Sequence, residues 1–418
     1  MNKFLGYTCL LCKKEYAPDQ ITYTCLECGG NLEVTLDTEA LKKKYQPEDL
    51  TSRCDPSIWR YLPLLPVSAP EGEATPLHLV GGTPVFALPR LAEKLGLKQL
   101  WLKDESRNPT ASFKDRASAV VVTRAREIGA EVVVTASTGN AGAALAGMAA
   151  AVGQKAIIFA PKTAPQAKVA QLLIFGAKVI LVDGTYDEAF DLTVKAAQEF
   201  GWYCRNTGYN PFTAEGKKTA AFEIWEWYLE TLGHGLGQSS TTNLTIFVSV
   251  GDGNIISGIH KGFKDLLALG WIEQMPRIIG VQAEGSAAIA NAFRANSETI
   301  IPVEAKTIAD SISVDLPRDG VRAVRAARET GGTYLTVSDA EILQAIAALG
   351  SQGVFAEPAG ATAYAGLVAA KAQGWLEAET PILVLNTGSG LKDVRAAMQA
   401  VPAAPILEPT LEAVKKIL

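Results

Sequence analysis

Val132-Val133-Val134-Thr135-Ala136-Ser137-Thr138-Gly139-Asn140-Ala141-Gly142 opens with a run of β-branched, apolar residues and closes in small polar ones. The first part suits a buried, pleated strand. The alanine- and glycine-rich stretch that follows, to residue 152, suits a helix lying close against a sheet. A strand that passes through a short polar loop into a helix is the repeating unit of βαβ folds, whose parallel sheets carry ligands at the carboxyl ends of their strands. The same alternation continues on both sides. Residues 100–103, 156–159 and 178–182 read as strands, and residues 114–128, 167–175 and 186–200 as helices. A second series places helices at 219–232 and 255–267, strands at 245–250 and 277–282, two helices centred near Ile346 and Ala365, and a strand at 381–385. The expected class is α/β, with two open, mostly parallel sheets flanked by helices and their strand ends facing a common cleft.

The amino-terminal segment differs. Cys9-x2-Cys12 and Cys25-x2-Cys28 have the spacing of a zinc ribbon, in which two knuckles close one tetrahedral thiolate site. Gly29-Gly30 supplies the tight backbone that a knuckle needs. Four thiolates leave no open coordination position, so the expected zinc is structural. Residues 1–44 hold six lysines and six acidic residues, hence no basic face for nucleic acid. A proline-rich stretch, residues 55–89, contains Leu62-Pro63-Leu64-Leu65-Pro66 and Gly81-Gly82-Thr83-Pro84 and reads as an extended arm crossing the body. The boundaries that follow are a ribbon at 1–40, the arm and the start of a large domain at 41–110, a smaller α/β domain at 111–205, and the rest of the large domain at 206–418.

The chain has 418 residues, 48% apolar and 20% charged, with a net charge of −5. This balance offers no electrostatic reason to expect nucleic acid or an anionic membrane. No apolar run reaches the ~20 residues of a membrane helix. The first fifteen residues lack a signal-peptide pattern, so the cytoplasm is the expected location. Cys54 and Cys204 read as small hydrophobic residues, and the glycine- and serine-rich residues 232–242 as a loop.

Four segments carry chemistry. Pro109-Thr110-Ala111-Ser112-Phe113-Lys114-Asp115-Arg116 sets one lysine in a short polar turn ahead of a helix. Burial beside a phosphate-bearing ring would let such an amine lose its proton and act as a nucleophile. Ser137 and Thr138, with their backbone N–H groups at a helix start, suit a substrate carboxylate. Asn140 offers an amide to a ring hydroxyl. Val250-Gly251-Asp252-Gly253-Asn254-Ile255 ends a strand and opens a helix, a natural phosphate cradle. Asp252 would repel a phosphate, so it is expected to turn away and cap a neighbouring element. The amides of Gly253, Asn254 and Ile255 would then face the anion. Asn386-Thr387-Gly388-Ser389-Gly390-Leu391-Lys392 places the Thr387 hydroxyl at a strand end, where it could meet a pyridine nitrogen without forcing a proton onto it. An amine, an amide, an anion cradle and a hydroxyl together are the equipment for pyridoxal 5'-phosphate.

The run Asn108 to Arg116 resembles the lysine motif of threonine synthases, members of the fold type II pyridoxal-phosphate enzymes. Ala136 to Gly142 is similar to the group's asparagine loop, Glu357-Pro358-Ala359-Gly360-Ala361 to a threonine synthase segment near the active site, and Thr387 to Asp393 to its carboxyl-terminal cofactor motif. The resemblance spans residues 75–400. It implies Lys114 as Schiff-base lysine and general acid/base, Asn140 and Thr387 as ring partners, Gly251 to Ile255 as phosphate cradle, and a homodimer. It further implies conversion of O-phosphohomoserine and water to threonine and phosphate. A sister activity of the same fold, β-replacement or β-elimination of the cysteate synthase or serine/threonine dehydratase type, stays open, and so does a non-catalytic scaffold. Two departures bear on the choice. The cradle is one residue shorter than is usual and carries Asp252. In Asn210-Pro211-Phe212-Thr213-Ala214-Glu215-Gly216, Thr213 stands where many threonine synthases have an arginine that grips the substrate phosphate. Lys217, Lys218 and Lys261 are the candidate replacements, with Lys217 and Lys218 expected on a solvent-facing side of a helix.

Overall fold

Three sheets organise the chain, and the order of their strands explains why distant motifs meet. The computed structural model describes residues 3–20, 23–51, 55–70, 75–137, 139–164, 166–232 and 243–417. The readings made above for Thr138, Cys54 and residues 233–242 lie outside the described residues. Strands Phe4–Cys9 (β1), Glu15–Tyr16 (β2) and Leu32–Leu36 (β3) form a small antiparallel sheet in the order β2-β1-β3. After it come Val85–Ala87 (β4), Leu100–Asp104 (β5), helix Lys114–Glu127 (α1), Val132–Ala136 (β6), helix Asn140–Ala151 (α2), Lys155–Pro161 (β7), Lys178–Val182 (β8), Tyr203–Cys204 (β9) and helix Phe212–Leu232 (α3). The second half contributes Thr245–Ser249 (β10), helix Asn254–Leu269 (α4), Arg277–Ala283 (β11), Thr333–Val337 (β12), helix Pro358–Ala372 (α5) and Ile382–Asn386 (β13).

Strands β8-β7-β6-β9 make one all-parallel sheet, and β12-β11-β10-β13-β5-β4 the larger one, parallel except for β4 at its edge. Strand β5 belongs to the larger sheet, so the chain leaves that sheet at Asp104, builds the smaller one, and returns at Thr245. Residues of β10 are buried throughout, as expected of a parallel strand covered on both faces. The expected two-sheet α/β architecture is present, with β9, β12 and β4 in addition to the strands read from the sequence.

Helix α3 begins at Phe212, seven positions before the expected start at Thr219, and is wedged between α1 and α4. Glycine makes the wedge possible: a Cβ at Gly216 would lie 2.0 Å from the Arg116 carbonyl oxygen. Consequently Lys217 and Lys218 do not face solvent; both are fully buried. Lys218 is neutralised by Glu215 and Asp265, each at 2.6 Å. Lys261 lies against Glu215 and Asp265 at 3.5 Å and donates to the Val34 carbonyl.

The proline-rich arm is not extended as expected. Residues Ile58–Leu64 and Pro76–Leu79 coil into 3-10 turns, and Ile58, Trp59, Tyr61 and Leu64 are buried in the core. The ribbon docks on both sides of the body, and two of its contacts lie close to the sheets' facing ends. On the smaller sheet, the Tyr23 hydroxyl accepts from the Cys204 N–H at 2.8 Å, and its ring stacks on Tyr209. On the side of the larger sheet, Asn31 Nδ2 donates to the Arg318 carbonyl at 2.7 Å and lies 3.4 Å from Asp319 Oδ1.

Candidate active site

The lysine turn owes its shape to its neighbours in sequence. Asp115 accepts from the Thr110 N–H at 2.6 Å and from the Thr110 hydroxyl, folding the turn back on itself. Ala111 takes φ 63°, a left-handed conformation that costs a non-glycine residue on the order of 1 kcal/mol and that the surrounding bonds must enforce. Those bonds come from the far end of the chain. Phe113 N–H donates to the Thr387 carbonyl, Ser389 N–H to the Ala111 carbonyl, and Glu357 N–H to the Gly388 carbonyl, at 2.9, 3.1 and 3.0 Å. Three of the four segments that resembled one family's motifs are thus stitched together by main-chain hydrogen bonds. Gly388 fits only as glycine, because a Cβ there would meet Glu357 Oε1 at 2.4 Å.

Below the turn lies a buried ion cluster. Arg116 forms a fork to Glu105 and Glu223, with bonds of 2.7 and 2.8 Å to the first and 2.7 Å to the second. Lys103 reaches Glu223 at 2.7 Å. All four side chains are essentially inaccessible. The cluster fixes the start of α1 against β5 and α3, and therefore fixes Lys114.

A cleft of about 550 Å³ opens between the two sheets. This is the size range of sites for small ligands. Lys114, Ser137, Asn140 and the whole of Gly251 to Ile255 line it, as do Tyr186 and Thr207. Thr387 is not in the lining; its hydroxyl sits 3.5 Å from that of Ser249, which is. The four cysteines lie elsewhere, in the ribbon.

Lys114 Nζ has no hydrogen-bond partner among the described residues, and burial followed by the nearby Arg205 charge lowers its pKa to about 8. Asp252 and Glu357 oppose that shift. An amine in this range is partly neutral at physiological pH, which a nucleophile or proton shuttle requires. Lys217 donates to Asn254 Oδ1 at 2.5 Å, and burial, then the charges of Lys114 and Arg205, hold its pKa well below the ordinary lysine value. Two amines and a guanidinium share this space, and an incoming anion would relieve all three.

Gly253 adopts φ 91° at the start of α4, and no side chain caps this end of the helix. Its amides and dipole are therefore available to a phosphate. Asp252 does turn aside: its carboxylate accepts from the Arg318 N–H at 3.2 Å. Asn254 is held by Asp319, which accepts from its Nδ2 at 2.7 Å. At the opposite wall, Ser137 departs from expectation. Its N–H is already donated to the Phe159 carbonyl at 3.0 Å, and its hydroxyl oxygen accepts from the Gly139 N–H, so the hydroxyl proton rather than the amide is what it can offer. Asn140 is anchored by a 2.8 Å bond from Nδ2 to Glu357. Burial raises the pKa of Glu357.

Several residues in or beside the cleft escaped the sequence reading. Glu357 lay in a segment already singled out, without a role of its own. Lys217 was misplaced on a solvent face. Arg205 follows a strand of only two residues and had no local signature.

Residues 77–388 match the family described as pyridoxal-phosphate dependent enzyme. The threonine synthase of Methanocaldococcus jannaschii is 40% identical over 417 residues, 98% of each chain. That of Methanosarcina acetivorans is 36% identical over 414 residues, again 98% of each. Among solved structures, the processed form of threonine deaminase isoform 2 from Solanum lycopersicum superposes with a TM-score of 0.64 at 22% identity, over 81% of this chain and 92% of that one, a likeness of fold.

Proposed function

The chain belongs to the pyridoxal-phosphate dependent enzymes, and from that premise we propose that it is a threonine synthase, converting O-phosphohomoserine and water to threonine and phosphate. The observation that carries the cofactor is the opposition, across one cleft, of the unpartnered Lys114 amine and the uncapped amino terminus of α4. Likeness along 98% of two threonine synthases, ribbon included, favours this activity over a dehydratase or a cysteate synthase.

When bound, pyridoxal phosphate supplies an electron sink that makes protons at Cα and Cβ of an amino acid removable. Lys114 would hold it, and the α4 amides, helped by Lys217, would receive its phosphate. Asn140 and Thr387 would face the ring. The chain's own part in the reaction is then proton handling and placement. Lys114 Nζ, lowered to about 8, can take a proton from the substrate and return it to Cα. The Ser137 hydroxyl, which lines the cleft just ahead of α2, would bind the substrate carboxylate. Thr387 would offer the ring nitrogen a hydroxyl, which does not force a proton onto it as a carboxylate would; the sink would then be moderate and suited to elimination and replacement over transamination. Phosphate released from O-phosphohomoserine, assayed beside a panel of unphosphorylated amino acids, tests the reading. Turnover of serine or threonine with none of O-phosphohomoserine would overturn it.

In the ribbon, the sulfur atoms of Cys9, Cys12, Cys25 and Cys28 all lie within 4.8 Å of one another, with two pairs at 3.5 Å. A tetrahedral zinc–thiolate site has sulfur–sulfur edges of about 3.8 Å, so the set fits one closed structural zinc. One zinc per chain is expected by elemental analysis of protein purified without chelator. Cys25→Ser should lose it and loosen the ribbon, since such sites contribute on the order of 10 kcal/mol to small metal-held folds. A metal content near zero would refute the assignment.

A further inference from the structure

Arg205 is an anomaly among the buried cations. It is wholly inaccessible, yet unlike Arg116 and Arg322 it meets no carboxylate among the described residues. Its Nε donates to the Ser118 hydroxyl at 3.2 Å, its Nη1 to the Thr207 hydroxyl at 2.7 Å, and its Nη2 has no partner among the described residues. A buried, uncompensated guanidinium is costly, and proteins retain one where an anion from outside completes it. The residue after it shows the same surplus. Asn206 uses its Oδ1 to accept from Thr135 and Ala136, while its Nδ2 is buried without an acceptor. Thr207, next in line, is on the cleft wall. Since its oxygen accepts from Arg205, its own proton is free to point at a ligand.

This group comes from a different element than the cofactor cradle, although its charge reaches the cradle's Asp252 and Lys217 beside it. Residues 205–207 continue from β9 in the smaller sheet, whereas the cradle is the start of α4 beyond β10 in the larger one. The start of α4 and the Thr207 wall therefore face one cleft. Thr213 cannot serve the second: it is fully buried and its hydroxyl is spent on the Asn210 carbonyl at 2.7 Å. Lys218 and Lys261 are spent on carboxylates, and Lys217 bonds to the cradle's Asn254. Arg205 is the cation left over, and its field is felt at Lys114, Lys217 and Tyr186 around the cleft.

Building on the threonine synthase reading, we propose that Arg205, acting through Thr207 on the cleft wall, is the positioning residue for the side-chain phosphate of the substrate. It takes over the task of the arginine that Thr213 replaces. The test uses the holoenzyme, with steady-state kinetics on O-phosphohomoserine and inhibition by inorganic phosphate. Arg205→Gln should raise both KM and the phosphate inhibition constant about ten- to a hundredfold, with a smaller change in kcat and with cofactor absorbance per chain intact. Arg205→Lys should recover part of the loss. A general packing defect would not move the two constants together or be rescued by charge. If the wild type releases phosphate from O-phosphohomoserine and Arg205→Gln leaves both constants unchanged, this inference falls and the threonine synthase reading stands. If the wild type releases none, both fall. Should Arg205→Gln not fold, Thr207→Val decides: both constants are expected to rise, and unchanged values overturn the proposal.

Discussion

Lys114→Ala is expected to yield a folded protein with no measurable threonine formation and none of the visible absorbance of a lysine-linked cofactor. The loss combines an attachment point with a general acid/base, and the second alone is worth about 10²–10⁴-fold. Folding should survive, because the Lys114 amine has no hydrogen-bond partner among the described residues and its removal leaves no orphaned acceptor. A spectrum and a denaturation curve on the same preparation separate the two effects. Retention of both band and turnover would show that another amine, with Lys217 the nearest alternative, does this work.

Arg116→Met is expected to be the most destabilising single change away from the cleft lining, by roughly 3–5 kcal/mol. Methionine keeps the apolar stem but ends near the position of Nε, so the cost is chiefly the lost guanidinium: Glu105 and Glu223 would face each other in the interior with Lys103 as the cation left in contact with both. Arg116 holds the pKa of Glu223 far below the ordinary carboxylate range, a further sign that the carboxylate depends on it. Urea unfolding monitored by far-UV circular dichroism should show the shift in midpoint, and Glu223→Gln added to Arg116→Met should recover part of it. A midpoint within error of the wild type would mean that the cluster contributes nothing net.

The fold was legible where burial left a simple record. Strands such as Val132–Ala136 and Thr245–Ser249 are short β-branched runs, and each leads into a helix. Strand Tyr203–Cys204 left no such record, being two residues long and defined only by its pairing with β6. The start of α3 was hidden for a different reason. Gly216-Lys217-Lys218 reads as the solvent-facing side of a helix, because lysine is almost never fully buried unless paired. Here the pairing comes from Glu215 nearby and from Asp265 and Asn254, which are close in space and distant in sequence. The same holds for the site. Lys114, Asn140 and the cradle announced themselves through local motifs, and all of them line the cleft. Arg205 has meaning only through what it lacks, and a missing partner cannot be seen before the chain is folded.

The ribbon is fastened on both sides of the cleft, through Tyr23 to the end of β9 and through Asn31 to the Arg318–Asp319 turn that holds Asn254. A body tied on both sides resists relative movement of what it joins, so a change in the angle between the sheets must carry the ribbon along or release the ties on one side. Thermodynamic linkage makes this reciprocal for the zinc proposed above. Whatever factor a zinc-loaded ribbon would contribute to the affinity of the cleft for its ligands, those ligands would return to the affinity of the ribbon for its metal. A segment with no chemistry of its own would then report on occupancy of the active site, and titrating zinc against a competing chelator, with and without substrate, would read out the coupling directly.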